Sequence, residues 1–200
     1  MIADRLNRLA RRVPAAVLYV LGMVQALWLF YLGATGGLGV EPIKALEHEL
    51  GEIALQLVIA GLCITPLRRF AGINLLKFRR ALGLVAFFFV TLHLLVWLVL
   101  DVQIPALIWA DILKRPYVTV GMLAFALMIP LAMTSNGWSV RRLGARWRKL
   151  HRLTYAVAVL GGIHFLWLVK GFQIEPILYL AAIMLLLALR VRPVRRKQAA

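Results

Sequence analysis

Long apolar runs alternate along this chain with short, charge-rich connections. The clearest run is Ala81 to Leu100, 20 residues without a charge, whose most polar members are Thr91 and His93. At ~1.5 Å per residue, a helix of that length crosses the ~30 Å hydrocarbon core of a bilayer. The same pattern predicts an all-α integral membrane bundle of six transmembrane helices forming one domain over residues 1–200. Its spans fall at about 14–34, 46–66, 81–100, 118–133, 150–169 and 176–189. The first ends in the breaker cluster Thr35-Gly36-Gly37-Leu38-Gly39, and the third stops at Asp101. Pro116 suits the start of the fourth, and Pro130 is expected to kink it near its far end. Residues 101–117, with Ile104, Leu107, Ile108 and Trp109, are too short to span and are expected along one interface.

Composition agrees with the pattern. The chain is 62% hydrophobic with a mean hydropathy of +0.85, against ~45–50% apolar residues in a soluble domain. A net charge of +16 invites a nucleic-acid reading, but the arrangement of the charge argues against it. Most Lys and Arg fall in four clusters, Arg5–Arg12, Arg68–Arg80, Arg141–Arg152 and Arg190–Lys197. Between them lie most of the acids: Glu41, Glu47, Glu49 and Glu52, then Asp101 and Asp111, then Glu175. Basic loops on every second side are the positive-inside pattern of a membrane protein. A nucleic-acid surface has no need of that alternation. The partner implied is a lipid bilayer.

The clusters put both termini and the 67–80 and 135–149 loops in the cytoplasm, with 35–45, 101–117 and 170–175 outside. Arg5–Arg12 reads equally as an interfacial turn or as a topology signal. Basic residues before an apolar stretch also describe a signal peptide. Val13–Ala34 is long for one, and its removal would spoil the charge alternation, so an uncleaved first span is expected.

Cys63 is the only cysteine, which excludes an intramolecular disulfide, an Fe–S cluster or a cysteine zinc site. There is no C-x-x-C-H, so any haem would be held non-covalently.

Candidate chemistry rests on four histidines, His48, His93, His151 and His164. An ionisable ring in hydrocarbon is costly and is a functional candidate by default, although a single buried His also serves to bridge helices. Depth separates the two cases. Counted from the cytoplasmic starts of their spans, His93 lies ~17 Å and His164 ~21 Å along its helix. Two imidazoles at one level on separate helices suit the axial positions of a haem iron in a dry bundle core. Such bis-imidazole ligation leaves no open position, which favours electron transfer over oxygen chemistry.

His151 sits at the cytoplasmic edge of the fifth span, where its counterparts on the third span are Arg79 and Arg80. Three readings stay open for it: a second haem with an unusual partner, contact with a haem propionate or flavin phosphate, or a bridge between helices. Arg79, Arg80, Arg148 and Lys149 would suit anionic cofactor groups or serve topology alone. His48 and Glu52 share a helix face, suited to proton-coupled quinone chemistry, to a haem edge, or to a solvated helix end. Gly161 and Gly162 suit helix packing, a local change in the helix, or the approach of a flat macrocycle to the backbone, and the aromatics Phe87–Phe89, Trp97, Phe165 and Trp167 read as packing and interface anchors rather than an electron relay.

Four stretches carry family resemblances. Arg79-Arg80-Ala81-Leu82-Gly83-Leu84 through Leu92-His93, with Lys149-Leu150-His151-Arg152-Leu153-Thr154-Tyr155 through Gly162-Ile163-His164-Phe165, resembles the ferric-reductase-like transmembrane domain. More narrowly, Lys114-Arg115-Pro116-Tyr117-Val118-Thr119-Val120-Gly121 and Leu131-Ala132-Met133-Thr134-Ser135 resemble the MsrQ (YedZ) family. The resemblance implies an electron carrier of the bacterial inner membrane containing haem b and FMN. It would pass electrons from the quinone pool, or from a cytoplasmic flavin reductase, to a periplasmic molybdopterin-containing methionine sulfoxide reductase subunit. By position it makes His93 and His164 the outer haem ligands and His151 the inner family histidine. The inner histidine that larger ferric reductases and NADPH oxidases carry on the third span has no match here, which leaves the haem count at one or two. No G-x-G-x-x-G occurs, so the electron donor is expected to be a separate protein or the quinone pool. The competing readings are a stand-alone quinol or ferric reductase and a proton-coupled transporter.

Overall fold

Every apolar run forms a helix in the computed structural model of the chain, which describes residues 2–169 and 171–190. The basic cluster beyond Arg190 therefore lies outside the described residues. In chain order the helices are α1 (Ile2–Arg12), α2 (Ala16–Thr35), α3 (Pro42–Phe70), α4 (Arg79–Val96), α5 (Pro105–Lys114), α6 (Pro116–Met133), α7 (Gly137–Leu143), α8 (Ala145–Leu150), α9 (Leu153–Leu168) and α10 (Ile174–Ala188). The described residues contain no strand.

Among the described residues, four segments are long and apolar enough to cross a membrane: α2, α3, the stretch Leu76–Val102 that contains α4, and α6. Lipid-facing chemistry is plain on α2, where Val20, Leu21, Val24 and Leu27 are each more than half exposed. Water would not tolerate such a face on a helix this long. The remaining two predicted spans are helices of 16 and 15 residues, α9 and α10. At ~1.5 Å per residue each covers less than the ~30 Å of a full hydrocarbon core.

Several boundaries differ from expectation. The second span was expected over 46–66, but Pro42 opens α3 at its first turn and Pro66 stays inside it, so the helix runs for 29 residues. The third was expected to continue to residue 100; α4 ends at Val96 and passes into a π-helical turn over Trp97–Val102. That turn closes at Gln103, whose φ of 61° reverses the chain. The fifth was expected from residue 150. Instead α8 ends at Leu150, His151 sits in the turn, and α9 begins at Leu153. Residues 105–114 form the short helix α5.

Two antiparallel pairs, α3 with α4 and α6 with α9, make the principal helix contacts. Ala26, Leu29, Leu50, Val85 and Phe89 bury α2 against the first pair. Ala86, Met128, Leu131 and Val157 join α4 to the second, while Leu55, Leu62, Ala158 and Ile183 bring α10 against α3 and α9. The basic helix α1 is tied to the loop before α4: the Asn7 side chain donates to Gly72 O at 3.0 Å and accepts from Asn74 N at 2.8 Å. Lys77 Nζ adds a bond to Arg11 O at 3.0 Å. The bundle thus has a basic end, at these contacts, and a more acidic end, where Glu47, Asp101 and Glu175, with Lys44 and Arg115, line one cavity.

Candidate functional site

Between the two helix pairs lies a cavity of about 640 Å³ that opens at the acidic end. Its body is apolar, with Leu55, Val58, Val90, Phe125 and Met128 among its walls. His93 enters from α4 and His164 from α9. Their ring centroids stand 6.1 Å apart with planes 84° from parallel. The two residues are 71 positions apart in sequence; equal depth on neighbouring helices brings them together.

Each ring is held the same way. His93 Nδ1 lies 2.8 Å from the carbonyl oxygen of Glu47, and His164 Nδ1 lies 2.7 Å from that of Tyr117. A carbonyl can only accept, so each Nδ1 carries the proton and donates it. The lone pair of each neutral ring is left on Nε2. A metal-binding histidine characteristically donates its other ring N–H to such an acceptor, which fixes tautomer and orientation.

A second repeated feature makes room for the rings. Gly51 lies one turn beyond Glu47 on α3, and Gly121 one turn beyond Tyr117 on α6. A Cβ on Gly51 would meet His93 Nδ1 at 3.1 Å, and one on Gly121 would meet His164 Nδ1 at 2.7 Å and Cε1 at 2.8 Å. Each imidazole therefore lies against bare helix backbone. Sequence reasoning passed over both glycines. The available signal was a small residue on the neighbouring span at the depth of each histidine.

Of the other candidates, His48 and Glu52 line the same cavity near its acidic opening. Glu52 is engaged by Gln56 and Tyr179, at 2.7 and 2.8 Å. Trp97 and Phe165 also line the cavity, whereas Phe89 is core and Trp167 is more than half exposed. The two adjacent glycines divide their roles: Gly161 faces the cavity, and Gly162 packs against Leu180 and Ile183 of α10.

His151, Arg79 and Arg80 are not brought to this cavity. His151 Nε2 lies 3.0 Å from Thr134 Oγ1, and its ring stacks on Trp147 at 3.9 Å. Trp147 Nε1 in turn donates to Thr134 O at 2.9 Å. The histidine thus bridges the end of α6 to α8. Arg79 donates to Thr65 Oγ1 at the basic end. Burial holds the His151 imidazole below its ordinary pKa. Its neutral form is favoured in the folded state, so its contribution to stability is present above the unfolded value and lost as pH falls below it. The His151→Phe variant is expected to lose less thermal stability than wild type between neutrality and pH values under ~6.5. Parallel melting curves in detergent across that range check this.

The donor set suits a metal macrocycle. Among the described residues no group of three or more His, Cys, Asp or Glu could hold a bare ion, whereas two opposed neutral imidazoles are a complete axial set for haem. Imidazole–metal bonds of ~2 Å on opposite sides of one ion put ring centroids roughly 6 Å apart, the separation seen here. The cavity volume also falls within the ~300–1,000 Å³ of cofactor sites.

Comparison with known proteins gives the same outline. The family model described as "Ferric reductase like transmembrane component" matches residues 50–162. A protein of Agrobacterium fabrum, named as the heme-binding subunit MsrQ of protein-methionine-sulfoxide reductase, is 50% identical over 92% of this chain and 87% of its own length. Its namesake in Rhizobium meliloti is 52% identical over 86% of this chain and 81% of its own. The one in Brucella ovis is 48% identical over 90% and 83%. No solved structure matches.

Proposed function

The chain belongs to the MsrQ family of heme-binding reductase subunits, and from that premise we propose a membrane electron carrier that holds haem b between His93 and His164. It serves a methionine sulfoxide reductase system. The observation that carries the ligand assignment is the pair of imidazoles 6.1 Å apart, each with its Nδ1 committed to a backbone carbonyl.

Haem held there by His93 and His164 would supply one-electron transfer. The chain's own residues do the rest. The carbonyls of Glu47 and Tyr117 keep each Nε2 free to ligate. Gly51 and Gly121 let the rings seat. Leu55, Val58 and Met128 keep water from the cavity body. One haem per chain is the reading supported, because the His151 ring is committed to Thr134 and Trp147. His151→Phe is accordingly expected to keep its haem, as measured by the absorbance ratio of haem to protein. For FMN, which the resemblance implies, Arg79 and Arg80 are the cations proposed to meet the phosphate.

The charge alternation supports a six-span arrangement in the bacterial inner membrane, with α9 and α10 completing the crossing and both termini cytoplasmic. The acidic end then faces the periplasm and a molybdopterin-containing sulfoxide reductase. The donor is the quinone pool or a cytoplasmic flavin reductase. Vesicles of known orientation test the direction. Adding the periplasmic reductase and methionine sulfoxide on the acidic-end side should reoxidise the reduced haem; reoxidation only from the basic-end side would overturn the proposal.

A further inference from the structure

The two helices that anchor the histidines begin alike. At the start of α3, Lys44 precedes Glu47, whose carbonyl holds His93, and Gly51, which seats that ring. At the start of α6, Arg115 precedes Tyr117, whose carbonyl holds His164, and Gly121, which seats that one. At ~1.5 Å per residue, each cation stands ~3–5 Å along the chain axis from its carbonyl anchor, on the side away from the glycine. Both line the central cavity, and among the described residues lining it they are the only Lys or Arg.

Neither cation is consumed by the fold. Arg115 Nη1 stands 3.2 Å from Asp111 Oδ2 and donates to Tyr117 Oη at 3.3 Å. Both contacts use one amino group of a guanidinium that has five N–H groups. Lys44 Nζ lies 2.8 Å from Glu41 Oε1, with both side chains more than half exposed, and such a pair contributes little.

A haem carries two propionate carboxylates on one edge, while the rest of its rim is hydrocarbon. Carboxylates buried among Leu55, Val58 and Met128 would lack partners, at high cost. The charged edge therefore turns to the more acidic end, where Glu47, Asp101 and Glu175 repel it unless cations intervene. We propose that Arg115 and Lys44 hold the two haem propionates. Each helix start then supplies a cation to the rim, a carbonyl to the ligating histidine and a glycine to its ring. The guanidinium fork matches a carboxylate; the lysine acts as a point charge. This deepens the haem reading of the cavity, on which it rests, and fixes which edge of the macrocycle faces the more acidic end. A propionate left without its cation favours ferric iron, so each cation raises the haem potential.

The test uses the haem-loaded full chain in detergent, comparing wild type with Arg115→Gln and Lys44→Gln. Release of haem to excess apomyoglobin should be at least about tenfold faster in Arg115→Gln, as for loss of a charge-assisted hydrogen bond. The exposed Lys44 should matter less. In both variants the propionate bending bands of the resonance Raman spectrum should shift and the midpoint potential should fall. Lys114→Gln removes an equal charge outside the cavity lining and should leave all three readouts near wild type. Arg115→Lys should recover most of the release rate. Asp111→Asn breaks the ion pair but keeps the guanidinium, so release should quicken a few-fold at most. Unshifted propionate bands in both glutamine variants overturn the proposal, as does release from Asp111→Asn as fast as from Arg115→Gln. Wild-type protein that binds no haem would overturn the reading of the cavity itself, and the proposal with it.

Discussion

Purified His93→Ala or His164→Ala protein is expected to retain little haem. Loss of an outer partner to a ligating histidine alone weakens metal binding about 10–100-fold, and removal of the ligand itself should exceed that. The cavity cannot substitute for either ring. Among its lining residues His48 is the only other imidazole, at the acidic opening, and the walls beside the pair are apolar. The two variants should behave alike, because each histidine has the same carbonyl anchor and the same glycine seat. Pyridine haemochrome content per protein, measured on both, checks the expectation. Full retention by both would remove the ligand assignment.

Gly121→Ala is the second large effect, and it acts without replacing a ligand. The added methyl would sit 2.7 Å from His164 Nδ1 and 2.8 Å from Cε1, well inside contact distance, so the ring must leave the Tyr117 carbonyl. Haem retention should fall by about 10–100-fold, the usual consequence of losing that outer hydrogen bond. Gly51→Ala, whose methyl would stand 3.1 Å from His93 Nδ1, should give a smaller loss. Alanine is favoured over glycine in a helix by ~0.8–1.0 kcal/mol, which offsets part of the ~1–3 kcal/mol cost of the buried hydrogen bond the ring gives up. A large loss of haem affinity with only a small fall in the haem-free melting temperature would mark a seat for the ring. Equal haem content in Gly121→Ala and the parent would show that the ring has no need of bare backbone.

The histidine pair was legible because helical rise is fixed. Counting residues from the span starts put His93 and His164 at one depth, and the structure brings the two rings together. What holds them was not legible. Their acceptors are main-chain carbonyls of Glu47 and Tyr117, which every residue type has. The seats at Gly51 and Gly121 are absences of a side chain that acquire meaning only once the facing helix is known. His151 was read at the edge of a span because nothing in Lys149-Leu150-His151-Arg152 signals a break. The break follows from the docking of Trp147 and His151 on Thr134, a tertiary contact. The second span was placed too short at both ends, and α3 runs on through Pro66 because Arg190 satisfies the freed Leu62 carbonyl. The Glu52–Gln56–Tyr179 triangle joins positions 127 residues apart. Only the first two, at i and i+4, could be paired from sequence.

Two membrane helices are proposed to grip one iron between two imidazoles. Ferric and dithionite-reduced absorption spectra of the purified wild-type chain, with haem quantified against protein, test it most directly. A low-spin b-type spectrum in both states at one haem per chain is the result predicted. Colourless protein, or a ferric spectrum that is high-spin with an open iron position, would contradict it.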